Sequence, residues 1–581
     1  MALPEYGGTL GIKRAAHLLR RATFGATKQQ IDAFAAFTPA QAITALYHQA
    51  LPDPVLPIDP KTGQEWVLSG VTDANSDGGD LESFFKRWFI GQMMSVGIAP
   101  SLSLAYSARE RLVFFLHTHF TTITSKVGNS RSLYFQNQLL RLFSLDALSS
   151  DPDVNLKNLT VKLSIDNAML RLLDGNENVK GNVNENYGRE LLELYTIGRG
   201  LEGTLPPSPG PGDYILYTEQ DVKAAARVLS GWDIDDTFSV TDVDTNLRRG
   251  TVRGSTLNAS SHDNDPKQFS ARFANTVIQP DVTLLNGSNP TEASALDEIV
   301  QLVDMIYTKP ETAKNFCWKL YRFFVYAPHT PAESLTIDGP IITEMANLLI
   351  SSNYKIQPVI ENLLRSQHFY EATGATFTDD NFGGIIKSPL DLVVHTLRFF
   401  SVPITDMATS PGDYYDQLGE VLSNVTSQAM NFYEPYDVAG YDAYHQFPIY
   451  HRFWITPNTL ANRYNFIRSV ISSAESGMLK VNVYDFVKNN IPNGIAADAK
   501  LLVMELAKYL LPVTDNLTFD DATDDLSGLT AKRVNYFKER FLQTFDEAYW
   551  TTRWTENAGD LRDQLEYLFN ALMQSPEYQL A

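Results

Sequence analysis

Apolar residues recur every three or four positions along most of the chain, which predicts amphipathic helices. The runs GIKRAAHLLRRATFG, SARERLVFFLHTHF, ASALDEIVQLVDMIY, PETAKNFCWKLYRFFVY, IQPVIENLLRSQHF and SPLDLVVHTLRFF carry that spacing. GPIITEMANLLISS, DAKLLVMELAKYLL and DLRDQLEYLFNALMQS continue it. Helix punctuation agrees: Gly25 can close the first helix and Thr27 can cap KQQIDAFAAF. Thr218, with Asp221 three residues on, makes a near capping box for TEQDVKAAARVLSGW. Between Gly200 and about Asn289 the texture changes. A Pro/Gly loop, GTLPPSPGPGDY, precedes β-branched stretches, FSVTDVDTNLRRGTVRG and NTVIQPDVTLL, that suit short strands. From Gln428 to Pro457 the chain is dense in Tyr, Phe and Pro, as in a loop packed over something.

The expected fold is therefore mainly α: a large multi-helix body with a small β-containing insertion and long irregular loops. Residues 1–199 read as an N-terminal helical region and 200–290 as an insertion carrying one helix. Residues 291–427 read as a second helical region, and 428–581 as the aromatic-rich loop and C-terminal helices of one integrated domain. ENLLRSQHFY and NALMQSPEYQL share a helix, a Ser and an aromatic three residues on, a weak internal echo.

The chain has 581 residues, 44% of them hydrophobic, enough to bury a large core. Its formal charge of -21 repels phosphate backbones, so nucleic acid is not an expected partner. The single Cys317 excludes an intrachain disulfide and a thiolate-rich metal site, and its helical surroundings predict a buried, inert thiol. No signal-like apolar segment opens the chain and no run reaches membrane-spanning length, so a soluble protein without a transmembrane segment is expected.

Candidate chemistry centres on NENYGRELLELYTIG, Asn184 to Gly198. On a helical wheel Glu185, Asn186, Arg189, Glu190 and Glu193 share one arc. Glu185–Arg189 and Arg189–Glu193 are i,i+4 pairs, so Arg189 is expected to serve two carboxylates. Asn184 can cap this helix and Gly198 can end it. The arc is either a solvated, ion-paired face or one wall of a cleft. In a cleft, a poorly paired glutamate beside an ionised one provides an acid and a base, and Glu190 with Glu193 can also share a divalent ion. His117 and His119 of HTH point apart on a helix, so at most one faces a site and the other packs in the core. HDNDPK adds His262, Asp263 and Lys267 from a loop, as a base or ligand set or as Asx-turn chemistry. DANSDG places Asp73, Asn75 and Asp77 as ligands for calcium or a similar divalent cation, but position twelve is Phe84. DGNENVKGNVNE is a second incomplete calcium loop. Lys319, Arg322 and Lys387, beside apolar helices, read as snorkelling bases.

In order, AAHLLRRATFG, RERLVFFLHTHFTT, AMLRLLDGNENVKGNVNENYGRELLELYTIG, YTEQDVKAAARVLSGW, HDNDPKQF, IKSPLDLVVHTLRF and YEPYDVAGY…FWITPNTLANRYNF resemble the bacterial domain-of-unknown-function 1800 family over nearly the whole chain. The resemblance implies a large helical bacterial protein and no particular reaction. It implies relatives that are often exported and often encoded beside sulfatase- or phosphatase-like proteins, hence a polysaccharide and such a partner protein. Its polar blocks fall on Arg111, His117, His119, Asn184, Glu185, Asn186, Arg189, Glu190, Glu193, His262, Asp263 and Lys267. Leu116 stands where the family commonly has Trp, and GYDAYHQFPIYHRFW replaces a shorter Gly-Trp-Pro turn.

Two functions follow as expectations. One is a hydrolase of an envelope or extracellular polymer, with Glu190, Glu193, Arg189, His117, His119, His262, Asp263 and Lys267 as its catalytic set and Asn184, Glu185, Asn186 and Arg111 as binding residues. The other is a non-catalytic binding or scaffold protein that uses exposed rings of the aromatic loop, Tyr441 and Trp454 among them. A purely structural role, with the polar blocks as buried ion-pair networks, stands beside both.

Overall fold

The Ser103–His119 helix is enclosed on all sides: every residue from Leu104 to His119 except Thr118 is buried. A helix buried on every face is a core helix. Four others pack on it, Pro39–Tyr47, Gly78–Met93, Ser130–Leu142 and Pro310–Phe324. Its charged residues survive burial by pairing. Glu110 lies between Arg109, at 3.0 Å, and Arg141, at 2.6 Å. Arg111 pairs with Asp391 of the Pro389–Phe399 helix. That helix is buried at every position and packs on Pro411–Ser427 and Pro457–Ile471. The C-terminal helices Ala499–Leu510, Ala531–Leu542 and Leu561–Met573 pack on one another. The computed structural model describes residues 3–70, 78–370, 382–524, 528–557 and 561–581. Buried apolar residues from Leu3 to Tyr578 form one contiguous cluster.

The fold is mainly α. Thr27 with Gln30, and Thr218 with Asp221, form the reciprocal bonds of a capping box. The first helix, however, ends at Ala22, ahead of the expected Gly25. Gly25 has φ +106°, and a Cβ there would lie 2.8 Å from the His395 Cα, so this glycine permits a chain crossing. GPIITEMANLLISS belongs to a longer helical run that starts at Pro331. A π turn over Asp338–Ile342 carries that run past Pro340, whose missing N–H an ordinary helix tolerates poorly.

The insertion contains two ladders of two residues each, Trp232–Asp233 with Thr251–Val252 and Lys267–Gln268 with Val277–Ile278. A third ladder, Ile58–Asp59 with Gln64–Glu65, lies outside it and was not foreseen. The two echoing stretches end alike. Arg365 and Gln367 pair with Pro4–Tyr6 ahead of the Gly11–Ala22 helix. Gln579 and Ala581 pair with Ile385–Lys387 ahead of Pro389–Phe399. Lys387 does not snorkel: it is buried, and its Nζ donates to the Tyr578 carbonyl at 2.7 Å. Cys317 is buried, and burial pushes its thiol up. Among the described residues no helix is long and apolar enough to cross a membrane.

Candidate functional site

The Asn184–Gly198 segment begins as an ordinary helix, Asn186–Glu190, and then widens into a π turn over Leu191–Tyr195. Asn184 Oδ1 accepts from the Asn186 N–H at 3.0 Å at the start. Gly188 lets the helix press on its neighbour Glu219–Val228: a Cβ there would lie 2.8 Å from the Ala226 nitrogen. The wide turn bonds i to i+5, so a side chain four residues on no longer completes the turn. Glu193 therefore leaves Arg189 and meets Arg199 at 2.6 Å, with the Tyr217 hydroxyl donating to it at 3.0 Å. The expected Arg189–Glu193 pair is replaced. Arg189 instead grips Glu219 with two bonds of 2.9 and 3.1 Å, donates to Tyr214 at 2.8 Å and keeps Glu185 at 3.5 Å.

A π turn leaves unused carbonyls at its end, and this one is clamped from outside. Lys319 Nζ donates to the Leu194 carbonyl at 2.6 Å, and Asn315 to that of Thr196 at 2.7 Å. The Tyr195 carbonyl lies 3.1 Å from His119 Nε2. A carbonyl can only accept, so His119 carries its proton on Nε2. His119 Nδ1 is buried and unpartnered, and burial, with Lys319 second, holds the ring well below its ordinary range. Lys319 keeps some surface, yet burial brings it down to about 7. It is a clamp on the turn rather than the expected snorkelling base. Gly198, at φ +75°, ends the segment with its N–H on the Leu192 carbonyl at 3.0 Å.

Glu190 is the exception in this network. It is half-buried, and its side chain makes no hydrogen bond or ion pair among the described residues. Burial, then the neighbouring Glu193 and more weakly Asp437, raises its carboxyl to about 7; Arg189 and Arg199 oppose the rise. Asp437 belongs to the turn Asp437–Gly440 of the aromatic loop. His445 of the same loop feels Asp437, Asp442 and Lys319, with burial setting the direction of its shift, downward. The π turn thus offers two carboxylates in unlike settings, one fixed by Arg199 and Tyr217 and one free. Asp437, His445, Arg199 and Tyr217 were not foreseen. Asp437 and His445 lie more than two hundred residues from the turn in sequence, so no local motif marks them, and Arg199 and Tyr217 lie beyond the end of the segment that the helical wheel covers.

A cavity of about 410 Å³ adjoins this segment. Its wall runs through Ile197, Gly200 and Glu202, immediately after the turn, and the facing helix contributes Lys314, Trp318 and Arg322. Arg322 bonds to Glu202 at 3.3 Å and to the Tyr450 hydroxyl at 3.2 Å, and Lys314 to Asp338 at 2.9 Å. Arg322 is held in this network and does not snorkel.

The remaining expected site residues lie elsewhere. His117 is fully buried, stacked 3.8 Å from Tyr433 with neither ring nitrogen partnered, and burial lowers it to about 3. His262, Asp263 and Lys267 share no hydrogen bond or ion pair with Glu190 or Glu193 among the described residues. Lys267 pairs with buried Glu298, which also lies 3.4 Å from His262. His262 Nδ1 meets the Ser230 carbonyl at 2.9 Å, and Asp263 meets Arg227 at 2.6 Å. Arg111 is buried against Asp391 and the Phe24 and Phe323 rings. Tyr441 and Trp454, expected as exposed rings, are buried instead. Tyr441 accepts from the Tyr433 N–H at 2.8 Å, and both rings pack around Tyr444. Asn186 Nδ2 donates to the Leu173 carbonyl at 3.4 Å. Asp73, Asn75 and Asp77 fall outside the described residues. In the second calcium-like loop, Asn178 is engaged by the Ala226 carbonyl at 2.7 Å and the Asn184 N–H at 3.1 Å. Among the described residues no group of three or more His, Cys, Asp or Glu side chains is arranged to hold a metal ion.

A family model described as "Protein of unknown function (DUF1800)" matches residues 17–580. No curated protein and no solved structure matches the chain.

Proposed function

Because the chain belongs to the DUF1800 family, whose description names no reaction, its function has to be read from its own chemistry, and we propose that it is a hydrolase of an envelope or extracellular polymer in which Glu190 gives the proton and Glu193 acts as the carboxylate. The observation that carries this reading is the contrast between the two side chains. Glu193 is fixed by Arg199 and Tyr217, while Glu190, three residues away, has no side-chain partner among the described residues and stays partly exposed. An acid that stays protonated near neutral pH beside an ionised carboxylate is what cleavage of a glycosidic or ester bond requires. Glu190 would protonate the leaving oxygen. Glu193 would stabilise developing positive charge or activate water.

The 410 Å³ cavity supports a second reading, binding without turnover. It presents an indole and aliphatic side chains among the paired charges of Glu202, Arg322, Lys314 and Asp338, a lining suited to the mixed faces of a sugar. One experiment separates the two. The full chain is assayed against a panel of polysaccharides and aryl glycosides or esters, alongside Glu190→Gln. Hydrolysis is expected to fall by ~10²–10⁴-fold in the variant, with loss of the alkaline limb near pH 7. Unchanged turnover in the variant removes Glu190 from the mechanism. Saturable glycan binding with no turnover by either protein selects the binding reading.

A further inference from the structure

The dipeptide Asn-Gly occurs twice in the chain, at Asn286–Gly287 and at Asn493–Gly494. In this pairing an asparagine side chain is most open to attack by its own backbone, because no side chain shields the glycine nitrogen. Attack also needs a rotation that brings that nitrogen onto the asparagine Cγ. The fold around each pair therefore decides whether the chemistry is available.

The two settings are opposite. Asn493 opens the Asn493–Ala496 helix. Its carbonyl accepts from the Ala497 N–H at 2.9 Å, and its side-chain oxygen accepts from the Trp554 indole at 2.8 Å. The helix fixes the backbone rotation, and the amide is held by a ring that is itself buried. Asn286 instead begins an exposed tight turn that ends at Asn289. Gly287 has φ +64°, and no atom lies within 4 Å of where its Cβ would be. Its N–H has no acceptor among the described residues. What resists rotation at Asn286 is a pair of backbone bonds with Asn289, at 3.1 and 3.0 Å, and one bond from Nδ2 to the Leu257 carbonyl at 3.2 Å. Every residue of the turn is exposed, and such contacts open locally at little cost.

We infer that Asn286 is a site of spontaneous deamidation through a cyclic imide with Gly287, and that Asn493 is protected. The Gly287 nitrogen bonds to the Asn286 Cγ, the Cγ–Nδ2 bond breaks, and ammonia leaves with the proton that the Gly287 nitrogen gives up. Water then opens the imide at either carbonyl, which gives aspartate or isoaspartate at 286. Either product replaces an amide that donated to the Leu257 carbonyl with a carboxylate, which can only accept. This link between the Ser255–Asn258 and Asn286–Asn289 turns is then lost, just ahead of the Glu292–Tyr307 helix that carries Glu298. The inference is independent of the π-turn carboxylates.

It is tested by ageing the full chain at mildly alkaline pH, folded and in guanidinium, and reading tryptic peptides by mass spectrometry with fragmentation. In the folded chain residue 286 should gain the mass of an amide exchanged for a carboxyl, as two separable products, aspartate and isoaspartate. Taken against the unfolded chain, folding should slow Asn493 at least tenfold more than Asn286. Asn286→Gln, on an exposed turn, should keep the unfolding temperature of the parent and lose the conversion at this position. The inference fails if Asn286 keeps its amide in the folded chain, if the product is aspartate alone, or if folding slows the two pairs alike.

Discussion

Glu193 and Glu298 each meet a cation, Arg199 and Lys267. In the folded chain they differ in what surrounds the pair. Glu298, Lys267 and His262 are all buried, and burial lowers Lys267 against the pull of its carboxylate. Glu193 keeps part of its surface and has beside it Glu190, which has no ion-pair partner among the described residues and feels Arg189 and Arg199 only at a distance. The first group is closed, with Lys267 and Glu298 paired and sealed from solvent. The second is open, with one carboxylate in reserve. Charge density alone does not distinguish an ion-pair network from a reactive site; an unpaired member that reaches water does.

The contrast breaks most severely at the closed group. Glu298→Ala leaves Lys267 buried and unpaired, and should cost about 3–5 kcal/mol in denaturant unfolding. Adding Lys267→Met should recover much of that loss. A loss below about 1 kcal/mol in the single variant would mean that the pair is not sealed. Next in size is Gly188→Ala, which forces a methyl against the Ala226 nitrogen and the Val222 carbonyl of the neighbouring helix. The expected cost is about 1–3 kcal/mol, with loss of the Arg189–Glu219 contact. Unaltered stability would show that the two helices part freely.

The smallest effect is the sharpest test of the open group. In the folded chain Glu190 holds its proton up to about 7, whereas the unfolded carboxyl releases it near 4.5. Between those values the native state binds more protons, so this residue's contribution to stability falls as pH rises through that window. Glu190→Gln does not titrate. The variant should match the parent at pH 4 and exceed it by on the order of 1 kcal/mol at pH 8, solvent at the carboxyl trimming the full linkage value. Identical pH profiles of stability would place the perturbed carboxyl elsewhere.

Much of the fold is legible in the chain because helices announce themselves locally. The 3.6-residue period and the boxes Thr27–Gln30 and Thr218–Asp221 need only neighbours a few positions away. What is not local is less legible. The π turn looks like ordinary helix on a wheel, so Arg189 was matched to Glu193 when its partner is Glu219, thirty residues on. The acceptor for Lys267 is thirty-one residues distant, and nothing in HDNDPK points to it. The Tyr- and Phe-rich loop suits either a segment packed over the body or one that presents rings outward. Its composition cannot say which way they face, and Tyr433, Tyr441 and Trp454 face in. His117 and His119 show the gain from combining the two views. The helix separates them by geometry, and only the fold reveals that one stacks on a tyrosine while the other grips a carbonyl.

The widened stretch from Leu191 to Tyr195 holds one residue more than a regular helix would use, and so can be read as a built-in insertion. Excising Leu192 would let the segment rewind in ordinary register, swinging everything beyond it by about 100°. The acid now at 193 would then sit three places from Arg189, within reach of its guanidinium. Lys319, His119 and Asn315 would lose their carbonyls together. A single codon thus separates a segment that holds one carboxylate apart from one that would cancel it.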